Sequence, residues 1–400
     1  MKKNLVLLTI TGKDQPGITS SLTKILAESN TKIVDIEQVV IHDILSLSII
    51  VKFDDNNKNN DVLKELLFKA KEIGINLDFE VIGQDLIIDR SSRYTYAVTC
   101  LGDEISAEII LKLSTILAEF HVNIERITKL NEGTINCMEL IVYAEEYIDL
   151  KSLKTVLLSL GNKYNVNIAF QKENLYRKSK RLLVLDMDMT LIQMEVIDEL
   201  AKMAGVDEQV VKITEKAMNG EIDFNEALTQ RVSLLKGLSE SALQEVYKKI
   251  IFTEGAKELI SVAKHLGYKT AVLSGGFTYF TNKIKEYLGL DYAYANNLEI
   301  LDSKVTGRVL GDIVNAQRKS DLLEEIASKE GISLDQVIAI GDGANDLLML
   351  EKAGLGVAFN AKPKVKERAN YSLSSKPLNA IFYLLGINEK DLSEIYKTTN

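Results

Sequence analysis

Absences set the first bounds. The 400-residue chain has two cysteines and three histidines. Cys100 and Cys137 lie far apart, match no metal spacing and sit among strand-like residues, so they read as buried structural thiols. So few cysteines in so long a chain suit a reducing, cytoplasmic compartment. His42, His121 and His265 have no candidate Ser or Cys nucleophile near them, which argues against a hydrolase triad. No window approaches ~18 consecutive apolar residues, so no membrane span is expected. The opening stretch MKKNLVLLTITGKDQPG has too short an apolar run for a secretory leader and reads as a first strand. Positive charge is not in excess either. A net charge of −9 argues against nucleic acid and against an anionic membrane surface as partners. The length fits two or three domains, and 46% apolar residues are ample for their cores.

The first half alternates short strands and helices. Strands are expected at 5–11, 33–41, 45–53 and 77–82, helices at 18–29 and 62–73, and a loop at 12–17. This is the βαββαβ order of a ferredoxin-like unit. The pattern repeats, with strands at 94–101, 123–130, 137–144 and 167–171 and helices at 106–120 and 150–163. The stretch 172–181, KENLYRKSKR, is polar and basic and reads as a solvated linker. Beyond it the strands become apolar runs without alternation, at 182–185, 270–273 and 337–340. Strands buried on both faces look like this, as in a parallel sheet covered by helices. Ligands of such sheets bind at the carboxyl ends of the strands.

Those ends carry unusual residues. LLVLDMDMT runs four apolar residues straight into Asp186 and Asp188, with Thr190 after them. Ser274, Gly275 and Gly276 follow the second strand, and GDGAND, 341–346, follows another. Lys319 precedes that last strand. If these ends converge, the carboxylates of Asp186, Asp188, Asp342 and Asp346 face one lysine, which is costly without a counter-charge. Hard oxygen ligands without His or Cys point to Mg2+ rather than zinc. Asp186 can then act as a nucleophile on phosphorus, and Asp188 as acid and later base. Each motif alone has an ordinary reading. A DxD pair is often a turn and Ser-Gly-Gly a flexible loop; their weight comes from occurring together and in order.

The DxDxT motif at 186–190, the Ser274-Gly275-Gly276 turn, Lys319 and GDGAND resemble the haloacid dehalogenase (HAD)-like phosphatases. Glu195, the stretch ITEKAMNGEIDFNEALTQRVSLLKGL (213–238) and LSGGFTYFTNKIKEYLGLDYAYAN are similar to the branch of that family that hydrolyses O-phospho-L-serine. The N-terminal repeats resemble ACT domains, on the evidence of TITGKDQPGI above all. The resemblance implies an α/β chain, a Rossmann-like HAD parallel sheet with a helical cap, preceded by two ferredoxin-like ACT domains. The expected divisions are 1–86, 92–172 and 180–390, with the cap at about 193–251. It implies Mg2+ held by Asp186, the backbone carbonyl of Asp188 and Asp342, with Asp346 behind them. Asp186 would be the nucleophile and Asp188 the acid and base. Ser274, Gly275, Lys319 and Asn345 would cradle the phosphate. Glu195 would take the substrate ammonium and Arg231 its carboxylate, while Met218 and Phe224 wall the pocket. On their own, Arg231 and Glu195 would be ordinary charged helix residues and Met218 and Phe224 ordinary cap core. The implied activity is Mg2+-dependent hydrolysis of O-phospho-L-serine through an aspartyl-phosphate, the last step of L-serine biosynthesis. An amino-acid effector at the ACT domains and a homodimer are implied with it. Another small phosphomonoester, or phosphoryl transfer onto an alcohol such as homoserine, stays open, as does an amino-acid sensor with a decayed catalytic half. The family commonly has a small residue where this chain has Met189, so altered packing beside the phosphate is expected there.

Overall fold

The computed structural model describes residues 5–53, 59–83, 93–131, 135–369 and 371–399, except for the side chains of Asn59, Met218, Thr398 and Thr399. The chain divides into two compact units, 1–92 and 93–400.

In the first unit, β1 (Leu5–Lys13), β2 (Lys32–Ile41), β3 (Ile44–Lys52) and β4 (Asn76–Ile82) form an antiparallel sheet in the order β2-β3-β1-β4. Helices Ile18–Glu28 and Asn59–Ile73 fall between the strands as βαββαβ requires. Alternation on β3 explains the packing. Leu45, Leu47, Ile49 and Val51 all turn to one buried face, where Leu22, Leu26 and Leu66 of the helices meet them. His42 and Asp43 adopt the left-handed backbone that a tight two-residue hairpin needs. Edge strand β2 is exposed along its whole length, including Ile36, Val39, Val40 and Ile41.

The second unit opens with the same architecture. β5 (Tyr94–Gly102), β6 (Asn123–Asn131), β7 (Asn136–Ala144) and β8 (Asn167–Lys172) pair in the order β6-β7-β5-β8, with helices Ala107–Glu119 and Leu150–Tyr164. Ser106 and Asp149 cap these helices by accepting from backbone N–H groups of the first turn. Cys100 and Cys137 are buried here, and burial pushes the Cys100 thiol up to about 12, as for an inert core thiol.

The stretch 172–181 is not a solvated linker, contrary to its composition. It forms the short helix Leu175–Lys178, and Arg177 is buried in an ion pair with Glu139 of β7 and with Glu173 at 2.6 Å. Lys180 is buried too and donates to the Asp335 carbonyl at 2.6 Å. Around them Asn131 donates to the Tyr383 hydroxyl at 2.9 Å and Gln171 to the Leu384 carbonyl at 2.7 Å. Besides the local Glu173, the basic residues found a counter-charge and a carbonyl on distant elements, and such partners leave no trace in local composition.

The parallel sheet comprises β9 (Leu182–Leu185), β10 (Lys269–Phe277), β11 (Tyr292–Leu301), β12 (Lys304–Leu310), β13 (Val337–Gly341), β14 (Leu355–Phe359) and β15 (Tyr371–Leu373). Their order is β12-β11-β10-β9-β13-β14-β15, parallel throughout except for the β11–β12 hairpin. Central β9 feeds two cores: Leu183 and Leu185 pack with Leu259, Phe280 and Phe382, while Leu182 and Val184 pack with Leu322, Leu323 and Ile326. That is why four apolar residues stand in a row. Between β9 and helix Ala256–His265, which leads into β10, are inserted four helices, Val196–Ala204, Asp207–Met218, Phe224–Leu234 and Glu240–Lys248. The insertion starts and finishes at one stem, where Ile192 pairs with Phe252 and Gln193 N–H donates to the Ile251 carbonyl at 2.9 Å. Among the described residues no helix is long and apolar enough to cross a membrane.

Candidate active site

Three strand ends and one helix start build the site. The backbone N–H of Asp186 extends the β9–β13 pairing by donating to Ile340 O at 2.9 Å, so its side chain emerges at the crevice floor. The chain then turns tightly, with Leu191 N–H donating to Met187 O at 2.9 Å. Met189 takes a left-handed φ of 54° in this turn, and its side chain is exposed. The turn brings Asp188 back over the site, where its carboxylate accepts from Val196 N–H at 3.0 Å and Ser274 Oγ–H at 3.3 Å. Ser274 Oγ in turn accepts from Gly276 N–H at 2.8 Å. Lys319 lies in the first turn of helix Ala316–Lys329, capped by Asn315. Its fully buried ammonium donates to Asp186 at 2.6 Å and to Asp346 at 2.8 Å. Asp346 also accepts from Gly343 N–H at 3.0 Å, and Thr190 Oγ1 reaches Asp342 at 3.4 Å.

Charge is out of balance in this crevice. Asp186, Asp342 and Asp346 each offer a carboxylate oxygen, all within 4.8 Å of one another. Burial, then the Asp346 charge, raise the Asp186 pKa well above the ordinary carboxylate value. Burial raises Asp188 to about 6 and, with Asp346 beside it, Asp342 to about 7. Burial works to lower the pKa of Lys319, but Asp186 and Asp346 outweigh it and hold the ammonium charged. An all-oxygen donor set that one lysine does not neutralise fits a hard divalent cation. The carboxylate of Asp346, rather than that of Asp188, joins Asp186 and Asp342 in the cluster.

The inserted helices supply the opposite wall. Glu195 stands at the start of helix Val196–Ala204, and burial followed by the Asp188 charge raises it to about 7. Arg231, at the end of helix Phe224–Leu234, donates to Ala227 O at 3.3 Å and Thr214 Oγ1 at 3.5 Å. Burial lowers its pKa, while Glu195, Asp198 and Asp188 oppose that shift. Among the described residues no salt bridge joins Arg231 to Glu195, although each favours the charged form of the other. Phe224 begins its helix behind an Asp223 cap and reaches the Ser-Gly-Gly turn. A Cβ on Gly275 would stand 3.0 Å from the Phe224 ring, and one on Gly276 would stand 3.0 Å from the Asp188 carboxylate. At both positions it is space, rather than backbone twist, that disfavours a side chain. Asn345 lies half-buried on the 344–346 turn. The side chain of Met218 lies outside the described residues.

Some contributors escaped the sequence reading. Asn296, fully buried on β11, donates to Gly275 O at 2.8 Å and accepts from Val314 N–H at 2.8 Å. Asn225 of the insertion meets Asn315 of the sheet domain at 3.1 Å. The polar pair Asn296-Asn297, interrupting an otherwise apolar strand, was the available signal for the first. In the N-terminal unit, the loop 14–17 borders a separate cavity of about 330 Å3 that Ser20 and Gln38 also line.

Residues 183–351 match the family described as haloacid dehalogenase-like hydrolase. Residues 4–80 and 94–171 each match an ACT domain. The chain is 40% identical to a phosphoserine phosphatase of Streptomyces coelicolor, over 97% of this chain and 93% of the relative. It is 36% identical to a phosphoserine phosphatase of Mycobacterium tuberculosis, over 97% of this chain and 94% of the relative. Among solved structures, the unliganded form of a probable phosphoserine phosphatase from Vibrio cholerae is similar with a TM-score of 0.59 and 34% identity, covering 74% of this chain and 88% of that one.

Proposed function

The chain belongs to the phosphoserine phosphatase family of HAD-like hydrolases, and from that premise we propose that it hydrolyses O-phospho-L-serine to L-serine and phosphate. The observation that carries this reading is the pair Glu195 and Arg231, groups of opposite sign that act on each other and on Asp188, close to the Asp186–Lys319 ion pair. An α-amino acid presents an ammonium and a carboxylate to match them, and a simple phosphomonoester does not.

Asp186 attacks phosphorus, and the serine oxygen leaves with a proton from Asp188. An acid with a pKa near 6, turned toward Ser274, suits that donation. The aspartyl-phosphate on Asp186 is then opened by water, which loses its proton to the Asp188 carboxylate. Ser274, the Gly275 backbone, Lys319 and Asn345 hold the phosphoryl oxygens. Asp186, the backbone carbonyl of Asp188 and Asp342 would hold Mg2+, with Asp346 steadying Lys319 behind them. That ion would supply positive charge against the phosphoryl oxygens. Glu195 receives the ammonium, Arg231 the carboxylate, and Phe224 with Met218 walls the pocket. Phe224 against Gly275 and Asn225 on Asn315 support closure of the helical insertion, about 193–251, over the reacting phosphate.

The same reading divides the chain into ACT-like parts at 1–86 and 92–172 and a phosphatase part at 180–390. It assigns an amino-acid effector to the loop 14–17 cavity and a cytoplasmic homodimer to the whole. The bare apolar edge β2 supports the dimer, since an unpaired strand edge invites a second strand. Phosphate release from O-phospho-L-serine, O-phosphohomoserine and p-nitrophenyl phosphate, with and without Mg2+, tests the proposal. Mg2+-dependent turnover with a clear preference for phosphoserine is expected. Equal turnover of all three would remove the role of Glu195 and Arg231.

A further inference from the structure

Strands β10 and β11 fall out of step where the crevice is built. Leu273 stands beside Tyr294 and Phe277 beside Asn296, so the chain takes more residues along β10 than along β11 to cover the same distance. The surplus is the Ser274-Gly275-Gly276 turn, which bulges from the ladder, and the Gly275 carbonyl takes a side chain as its partner. Asn296 supplies it. Its carboxamide N–H donates to Gly275 O at 2.8 Å, and its oxygen accepts from Val314 N–H at 2.8 Å. The side chain is fully buried. With a carbonyl on one side and an N–H on the other, the amide has one satisfied orientation. An ionised aspartate would set an acceptor against Gly275 O, and leucine would leave both backbone groups unpaired.

The two partners lead to opposite sides of the phosphoryl site. Val314 precedes Asn315, which caps helix Ala316–Lys329 and accepts from Lys319 N–H at 2.9 Å. Gly275 leads to the serine. A trans peptide points its C=O and N–H in opposite directions, so holding Gly275 O also aims Gly276 N–H. That N–H donates to Ser274 Oγ at 2.8 Å. The Ser274 hydroxyl, accepting there, sends its own proton into the crevice, to Asp188 at 3.3 Å. The series donates in one direction throughout, from Val314 through Asn296, the 275–276 peptide and Ser274 to Asp188. Hydrogen bonds aligned in this way polarise one another.

We propose that Asn296 is a positioning residue for phosphoryl transfer, which aims the Ser274 hydroxyl into the crevice through the Gly275–Gly276 peptide. Among the described residues its side chain makes no hydrogen bond to Asp186, Asp188 or Lys319, so its effect passes through Ser274. The inference rests on the reading of Ser274 as part of the phosphoryl site.

A double-mutant cycle in the full chain tests it. The substrate is p-nitrophenyl phosphate with Mg2+, so the identity of the natural substrate does not enter. Asn296→Ala, Ser274→Ala and the double variant are compared with the parent, once circular dichroism shows each to be folded. Asn296→Ser, which keeps a shorter donor and acceptor, takes the place of Asn296→Ala if the latter does not fold. In the parent background the Asn296 substitution should lower kcat/KM roughly ten- to a hundredfold, as for a group misplaced by up to about 1 Å. With Ser274 already alanine, the same substitution should cost less than about threefold. A role confined to stability gives the same factor in both backgrounds, and that additivity overturns the proposal. So does a folded Asn296 variant with parental kcat/KM. Parental kcat/KM in Ser274→Ala alone removes Ser274 from the phosphoryl site, and the proposal falls with that reading.

Discussion

Replacing Arg231 with alanine separates substrate recognition from phosphoryl chemistry. The guanidinium sits half-buried on helix Phe224–Leu234, and its bonds to Ala227 O and Thr214 Oγ1 use only part of its five-donor fork. Glu195, Asp198 and Asp188 all lie close enough to favour its charge, yet none pairs with it among the described residues. A substrate carboxylate would take the remaining donors. Removing one partner of a buried charge pair costs about 2–5 kcal/mol. At ~1.4 kcal/mol per decade, kcat/KM for phosphoserine should fall roughly 30- to 4000-fold. p-Nitrophenyl phosphate has no carboxylate, and Ser274 and Lys319 stay in place, so its turnover should change by less than about threefold, within the spread of an unaltered barrier. Arg231→Lys should recover only part of the loss, because an ammonium cannot grip a carboxylate bidentately. Parallel steady-state assays on both substrates measure the ratio. Equal losses on the two would refute the reasoning, and would mean that Arg231 holds the inserted helices together through Thr214.

Asp186→Asn should lower turnover at least about a thousandfold while leaving the fold intact by circular dichroism, because it removes the nucleophilic charge; near-parental turnover would sink the aspartyl-phosphate route. Asn296→Ala strands Gly275 O and Val314 N–H, so urea unfolding should show a loss of about 1–3 kcal/mol for each group left unpaired, together with a raised KM. Asp188, Glu195 and Asp342 have raised values of about 6, 7 and 7. The metal-free folded chain therefore keeps protons that the unfolded chain has already released, and its stability should fall as pH rises from about 4 to 7. Mg2+ should then raise Tm more at pH 8 than at pH 5.5; an equal shift at both would contradict the crowded-carboxylate account. Glu139→Leu should destabilise the fold by less than the loss of about 3–5 kcal/mol for a wholly unpaired buried charge, because Glu173 still pairs with Arg177, and adding Arg177→Met should recover part of the loss; a double variant as unstable as the single would deny the ion pair this role.

The sequence exposed those parts of the fold whose physics is local. The alternation of Leu45, Leu47, Ile49 and Val51 identifies a half-buried strand, and the unbroken run 182–185 a strand shared by two cores. The crevice was legible for a different reason. Asp186, Ser274 and Asp342 each follow an apolar run directly, and strand ends of one parallel sheet converge. What stayed hidden depends on distant partners. Arg177 looked solvated because Glu139 lies 38 positions earlier. Asn296 looked like an ordinary polar interruption because Gly275 and Val314 are brought to it only by the fold. Strands β14 and β15 are five and three residues long, too short to stand out against their flanking helices. The β11–β12 turn at Asp302 and Ser303 carried a hairpin signal that was passed over.

The stem at Ile192 and Phe252 has an evolutionary reading. The two ends of the helical insertion meet across a single bridged pair, so the insertion is a loop in the topological sense, however large. It can be exchanged for a longer, shorter or unrelated segment without moving β9, β10 or the crevice they floor. Glu195 and Arg231 travel with the insertion, whereas Asp186, Asp188 and Lys319 stay behind. A single recombination at this junction could therefore hand the same phosphoryl chemistry a new clientele, and transplanting 193–251 between related scaffolds is the corresponding engineering route.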